Sequence, residues 1–175
     1  MYLITIEGGD GSGKGEAVRI LGALAKRLAF PKVHITHEPR RHSELGKLAL
    51  KAVSKGGHTP LQEAGLFAAD RVDHSHTWIR PRLLNGDLVI SDRNIHSSLV
   101  YQGVVGELGL EQVARMNAAA MIPDLVIWID CDPAKAMKRI NSGTLRMAGQ
   151  KHEYFETTEI QTKIRAGFKG ILSGE

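Results

Sequence analysis

The sequence predicts an α/β fold: a parallel sheet of about four strands between two layers of helix, a three-layer α/β/α sandwich. Three observations predict it. Four short β-rich runs alternate with longer segments of helical period. Two of the runs have continuous apolar cores. A glycine-rich loop joins the first run to the first helical segment.

The runs are Tyr2–Glu7, Lys32–Glu38, Asp87–Asp92 and Asp124–Asp130. Leu88-Val89-Ile90 and Leu125 to Ile129 are unbroken apolar stretches, which suits strands buried on both faces. After the first run, Ala17, Ile20, Leu21, Leu24 and Leu28 recur at helical spacing and predict one buried stripe, ended by Pro31. A long helical stretch follows Pro60 and stops at Asn85-Gly86. Another begins at Asp132-Pro133, with Asp as N-cap and Pro at the first helical position. Met116, Met121 and Ala118–Ala120 read as core packing around a helix end, and Cys131 as a small buried side chain. Residues 141–152 (NSGTLRMAGQKH) are polar, basic and weakly periodic, and are expected to form a mobile lid on a single domain spanning 1–175.

With 175 residues the chain fits one domain, and at that size roughly 70% of the unfolded surface is buried without staples. A single cysteine excludes an internal disulfide framework, and no apolar run reaches the length of a membrane span. Met1 to Glu7 meets a carboxylate too early for a secretory signal, so a reducing, cytoplasmic setting is expected. The net charge of +4 suits small phosphorylated ligands. Aromatics are 5% and are not interleaved with a basic stripe, which argues against a polynucleotide groove. Eight histidines lack the spacing and companions of a zinc set.

The loop Gly8-Gly9-Asp10-Gly11-Ser12-Gly13-Lys14-Gly15 follows a strand run and opens a helix. It matches the P-loop pattern G-x-x-x-x-G-K-[ST] except at the last place. Glycines let backbone N–H groups turn toward a phosphate, and Lys14 brings charge to the β- and γ-phosphates. Gly15 stands where a hydroxyl would ligate Mg²⁺, and Glu16 follows it; both changes are expected to weaken MgATP binding or turnover.

Five ordered segments resemble the thymidylate kinase family. Residues 6–14 (IEGGDGSGK) resemble FEGxDGxGK; His37-Glu38-Pro39-Arg40 resembles the REP segment; residues 66–71 (LFAADR) resemble LLFxADR. Residues 91–103 resemble DRYxxSSxAYQG, and residues 123–133 resemble PDLxxxLDxxPE. The resemblance implies a P-loop NTPase fold and a kinase that transfers a phosphoryl group from ATP, with Mg²⁺, to dTMP. It also implies a homodimer acting on small nucleotides, with no nucleic-acid or membrane partner.

The residue roles it implies are specific. Asp10 would accept from the acceptor 3′-hydroxyl. Phe67 would stack on thymine and Arg71 would bond the base, with core packing and a surface ion pair as the respective alternatives. Asp92 would hold Mg²⁺ or order Lys14. Arg93 and Arg40 would clamp the acceptor phosphate. Tyr101 would crowd a 2′-hydroxyl, while Ser98 and Gln102 would complete the base and sugar contacts; helix-surface positions are the alternative for these three. The loop has no arginine, so Arg139 and Arg146, with Lys151 in reserve, would stabilise the transferring phosphoryl group. Asn94 departs from the family's aromatic. The family usually continues past Glu175 with a further strand and helix, so its last strand is expected to be absent here.

Overall fold

The computed structural model describes residues 1–55, 57–142 and 157–173. Strands β1 (Tyr2–Glu7), β2 (Val33–His37), β3 (Leu88–Asp92) and β4 (Leu125–Trp128) form one parallel sheet in the order β2-β3-β1-β4. Each expected run is recovered to within a few residues. β3 lies inside the sheet and Leu88 to Ser91 are buried, as a continuous apolar run requires. β4 departs from expectation. It pairs with β1 on one side only, so Leu125 is 50% exposed and its neighbours are half-buried.

The alternation of β1 assigns the two helical layers. Ile4 and Ile6 point to α1 (Lys14–Ala25) and pack with Val18, Leu88 and Ile90. Leu3 points the other way and packs with Ile79, Leu83 and Val89. A third cluster of Val100, Ile164 and Phe168, with Trp128 against it, seats α8 (Thr158–Leu172). Fully burying each such side chain contributes about 1.5–3 kcal/mol.

The stripe expected on α1 is only half right. Ala17 and Leu21 pack inward, but Ile20 is 46%, Leu24 53% and Leu28 60% exposed. Val18, Gly22 and Ala25 form the buried line instead, and the helix ends at Ala25, well before Pro31. The sheet is narrow here: edge strand β2 brings Ile35 to Gly22 and packs Val33 on the cluster that holds Val18 and Ala25.

Helices α2 (Glu44–Lys55) and α3 (Pro60–His74) pack together, and α3 starts with a reciprocal capping box between Thr59 and Gln62. A π turn, Ser75–Ile79, leads into α4 (Arg80–Leu84), which stops at Asn85 with Gly86 at φ +83°, where the sequence placed the stop. α5 (Ile95–Ser98) runs into a second π turn, Leu99–Val105, followed by α6 (Leu110–Met116). α7 (Pro133–Asn141) is capped by Asp132, whose side chain accepts from Lys135 N–H at 3.1 Å. Ala118 and Ala119 are exposed, not core; Ala120 is buried, and Met121 packs against the Leu3 cluster. Cys131 is half-buried rather than buried. Most of the expected lid, with Arg146 and Lys151, lies outside the described residues. No helix among the described residues is long and apolar enough to cross a membrane.

All four strands point the same way, so the segments that leave their carboxyl ends gather at one edge. That edge is where open α/β sheets bind ligands.

Candidate active site

The loop from Gly8 to Lys14 is shaped by its glycines. Gly11 has φ +72°, and a Cβ there would sit 2.6 Å from the Ala136 carbonyl oxygen. Gly8 has φ +147°, and a Cβ would lie 2.8 Å from the Ile129 oxygen. No other residue type fits both constraints. Lys14, 8% exposed, folds back so that Nζ donates to the Gly9 oxygen at 2.8 Å. Burial, reinforced by the Arg93 charge, lowers its pKa to about 8, while Asp10, Asp92 and Glu7 oppose the shift. Arg139 lies across the outside of the loop, with Nη1 donating to the Gly11 and Ser12 oxygens at 3.0 and 3.2 Å. Ser12 Oγ and Asp92 Oδ1 are buried with no hydrogen-bond partner among the described residues. Such oxygens at a glycine loop suit an incoming polar ligand. A Cβ on Gly15 would meet nothing within 4 Å.

Arg93 follows β3 with φ +72°, a strained conformation for a side chain this large. The turn carries its guanidinium back over the loop. Nη1 donates to the Gly8 oxygen at 3.2 Å and to Ser97 Oγ at 3.0 Å; Nη2 donates to Asp10 Oδ1 at 2.5 Å and Tyr101 Oη at 3.3 Å. The Tyr101 hydroxyl donates in turn to Asp10 Oδ2 at 3.1 Å. Burial would raise the Asp10 carboxyl, but Arg93 and Lys14 outweigh it and hold the pKa below its ordinary value. Burial, with Asp10 adding to it, pushes Tyr101 up, so it remains a phenol. Beneath them Glu7 is fully buried and accepts from Asn94 N–H at 2.7 Å and Ser97 Oγ–H at 2.6 Å. Burial pushes Glu7 up to about 7 against those hydrogen bonds and the Arg93 charge.

A second polar group sits beside the first. Arg71 on α3 is 2% exposed, so it is no surface pair. Its Nε donates to Glu38 Oε2 at 2.6 Å, and its Nη1 to Ser98 Oγ at 3.0 Å and Asn117 Oδ1 at 2.6 Å. Glu38 Oε1 meets His74 Nδ1 at 3.0 Å, and His74 Nε2 meets Thr36 Oγ1 at 2.9 Å. Phe67, one turn before Arg71, is half-buried. Ser98, Tyr101 and Gln102 are all buried, so none is a helix-surface residue. Tyr101 and Gln102 ride on the second π turn, a distortion frequent at functional sites. Arg40 is held by Asp70, at 3.0 Å from Nε, and by Asp73, while Arg41 is exposed.

The sequence gives no site role to Glu7, Glu38, His74, Asn94 or Asn117: Glu7 and Glu38 stand within motifs, His74 is considered only against a zinc set, and Asn94 is marked as a departure. An acidic residue ending an apolar strand, as in Ile6-Glu7 and Ser91-Asp92, was the available signal for Glu7.

A strand, a glycine loop with its lysine, a helix and a carboxylate ending the neighbouring strand define a P-loop phosphotransferase. Residues 6–175 match the thymidylate kinase family model. The chain is 39% identical over 174 residues to a probable thymidylate kinase of Thermococcus onnurineus, covering 94% of this chain and 81% of that one. It is 38% identical over 163 residues to a probable thymidylate kinase of Pyrobaculum calidifontis, covering 93% and 78%. The crystal structure of thymidylate kinase from Ehrlichia chaffeensis superposes with a TM-score of 0.76 at 26% identity, over 99% of this chain and 87% of that one. The chain belongs to the thymidylate kinase family.

Proposed function

We propose that the chain transfers the γ-phosphoryl group of ATP to dTMP, giving dTDP. One observation carries the reading. The Lys14 loop and the Arg71 group open onto the same sheet edge, with Arg93 between them: it bonds the loop at Gly8 and Asp10 and, on the other side, Ser97, the neighbour of the Ser98 that accepts from Arg71. Donor and acceptor phosphates would therefore meet between Lys14 and Arg93. Lys14 leaves the Gly9 oxygen to meet the donor phosphates, and its positive form predominates at neutral pH. Arg93 would turn its planar fork to the acceptor phosphate by exchanging bonds that Nη1 and Nη2 now make to Gly8, Ser97, Asp10 and Tyr101. Each Asp10 oxygen already accepts one bond and keeps a lone pair for the sugar 3′-hydroxyl. Tyr101, fixed between Asp10 and Arg93, fills the space a 2′-hydroxyl would need. Phe67 offers its ring to the base and Arg71 a donor to its carbonyl. Ser98 and Gln102 line the same side, and Arg40 backs the acceptor phosphate.

The residues fit Mg²⁺ in part. Asp92 supplies a hard, buried oxygen with no hydrogen-bond partner among the described residues, and Gly15 has no side-chain oxygen to supply. Bound with the nucleotide, the ion would supply charge neutralisation at the β- and γ-phosphates. Asp92 would hold it, directly or through water, while Arg139 steadies the loop from outside.

A coupled ADP-release assay with MgATP tests the reading, using dTMP, dUMP, UMP and AMP as acceptors. Turnover that prefers dTMP is expected; turnover indifferent to the acceptor, or none, overturns it. Gly15 and Glu16 favour a second reading, a nucleotide-binding relative with little turnover. A large gain of activity in Gly15→Ser with Glu16→Thr would support it. We also propose a homodimer acting in the cytoplasm; a monomer by light scattering at micromolar concentration would remove the dimer.

A further inference from the structure

Asn94 is fully buried and uses three of its groups at once. Its backbone N–H donates to Glu7 Oε1 at 2.7 Å. Its Oδ1 accepts from Ile95 N–H at 2.7 Å and so caps α5. Its Nδ2 donates to Glu38 Oε1 at 3.3 Å. One residue therefore ties the carboxylate beneath the phosphate loop to the carboxylate that holds Arg71. The aromatic of the family's DRY pattern, which Asn94 replaces, has no amide to make the last of these bonds.

Arg71 spends Nε on Glu38 and Nη1 on Ser98 and Asn117, which fixes its plane at two corners. Nη2 has no partner among the described residues. A guanidinium nitrogen is a donor only, so Nη2 suits the carbonyl of a keto base and conflicts with the amino group of cytosine. Its aim depends on Glu38, whose carboxylate is steadied, among the described residues, by two further partners, His74 and Asn94. We propose that Asn94 is a positioning residue for reading the acceptor base: its amide fixes Glu38, and Glu38 fixes the free edge of Arg71. The inference rests on the reading of Arg71 as the base-contacting donor.

Two substitutions isolate the amide. Asn94→Ser keeps a side-chain oxygen able to cap α5 and removes the donor to Glu38. Asn94→Asp keeps shape and cap but turns an acceptor toward the Glu38 carboxylate. For Asn94→Ser, KM for dTMP should rise about tenfold, the preference for dTMP over dCMP should fall about tenfold, and KM for ATP should stay within about twofold. Asn94→Asp should move the same quantities further. A residue that only caps a helix would lower the thermal midpoint and leave the base preference unchanged. Arg71→Ala separates the two ideas. If it abolishes the preference while both Asn94 variants keep it, the proposal fails and the base-reading role of Arg71 stands. If Arg71→Ala itself leaves the preference intact, both fall.

Discussion

On the side proposed for the acceptor, Arg71, Glu38, His74 and Asn117 each meet side chains at hydrogen-bond distance, and all four are buried. On the side proposed for the donor, and among the described residues, Lys14 donates to a backbone carbonyl, Ser12 Oγ and Asp92 Oδ1 have no hydrogen-bond partner, and a Cβ on Gly15 would meet nothing within 4 Å. The difference follows from what each half must recognise. A base is neutral and flat, and its recognition relies on donors held in a fixed plane before it arrives. A polyphosphate brings its own charge, and the loop keeps a lysine and bare oxygens ready to be reorganised by it. Arg93 stands at the seam, with bonds to the Gly8 carbonyl and Asp10 in the loop and to Ser97 and Tyr101 beyond it.

Breaking the donor half should give the largest effect. Lys14→Met should lower kcat/KM for ATP roughly a thousandfold, with dTMP affinity by calorimetry nearly unchanged. Parallel losses for both ligands would erase the distinction between the halves. On the acceptor side, Glu38→Gln leaves Arg71 buried with its charge uncompensated. Chemical denaturation should show a loss of about 3 kcal/mol, and KM should rise for dTMP rather than for ATP. Gly15→Ser adds a hydroxyl where nothing crowds it. Turnover at limiting Mg²⁺ should rise by about tenfold if the loop lacks only that ligand, and a null result would assign the ion entirely to Asp92.

Two pH profiles sharpen the same contrast. The Lys14 pKa, lowered to about 8, leaves the ammonium charged below that pH and neutral above it. In the free enzyme kcat/KM for ATP should therefore fall several-fold as pH rises through about 8, while dTMP binding stays level. Glu7 has the opposite linkage to the ordinary carboxylate. Its folded pKa, about 7, lies above the ordinary 4.5, so its stabilising contribution is full below about 4.5 and is lost as pH rises through about 7. Glu7→Gln should flatten that part of the stability profile, measured by thermal unfolding between pH 5 and pH 8.

The donor half was legible in the sequence because backbone geometry writes it: glycines at fixed spacing, a lysine, and a strand before a helix. Strand positions and the cap Asp132 carry equally local signals. The acceptor half was legible only through resemblance. Arg71 meets Glu38 across 33 residues, His74 meets Glu38 across 36, and Arg71 meets Asn117 across 46. No local pattern announces such a meeting, so His74 is read only against a zinc set, Asn117 has no role, and Asn94 registers only as a departure. The misread faces of α1 and β4 have a related cause. Apolar period shows which residues could be buried, whereas the width of the sheet decides which are.

The central claim is that the acceptor half is formed before the donor half is filled. Calorimetric titration of dTMP, and separately dCMP, into the nucleotide-free chain without ATP or Mg²⁺ tests it most directly. The account predicts saturable binding of dTMP under these conditions and at least tenfold weaker binding of dCMP, as expected when a fixed donor meets the wrong group. Binding of dTMP that develops only after MgATP is added, or equal binding of the two nucleotides, would contradict it.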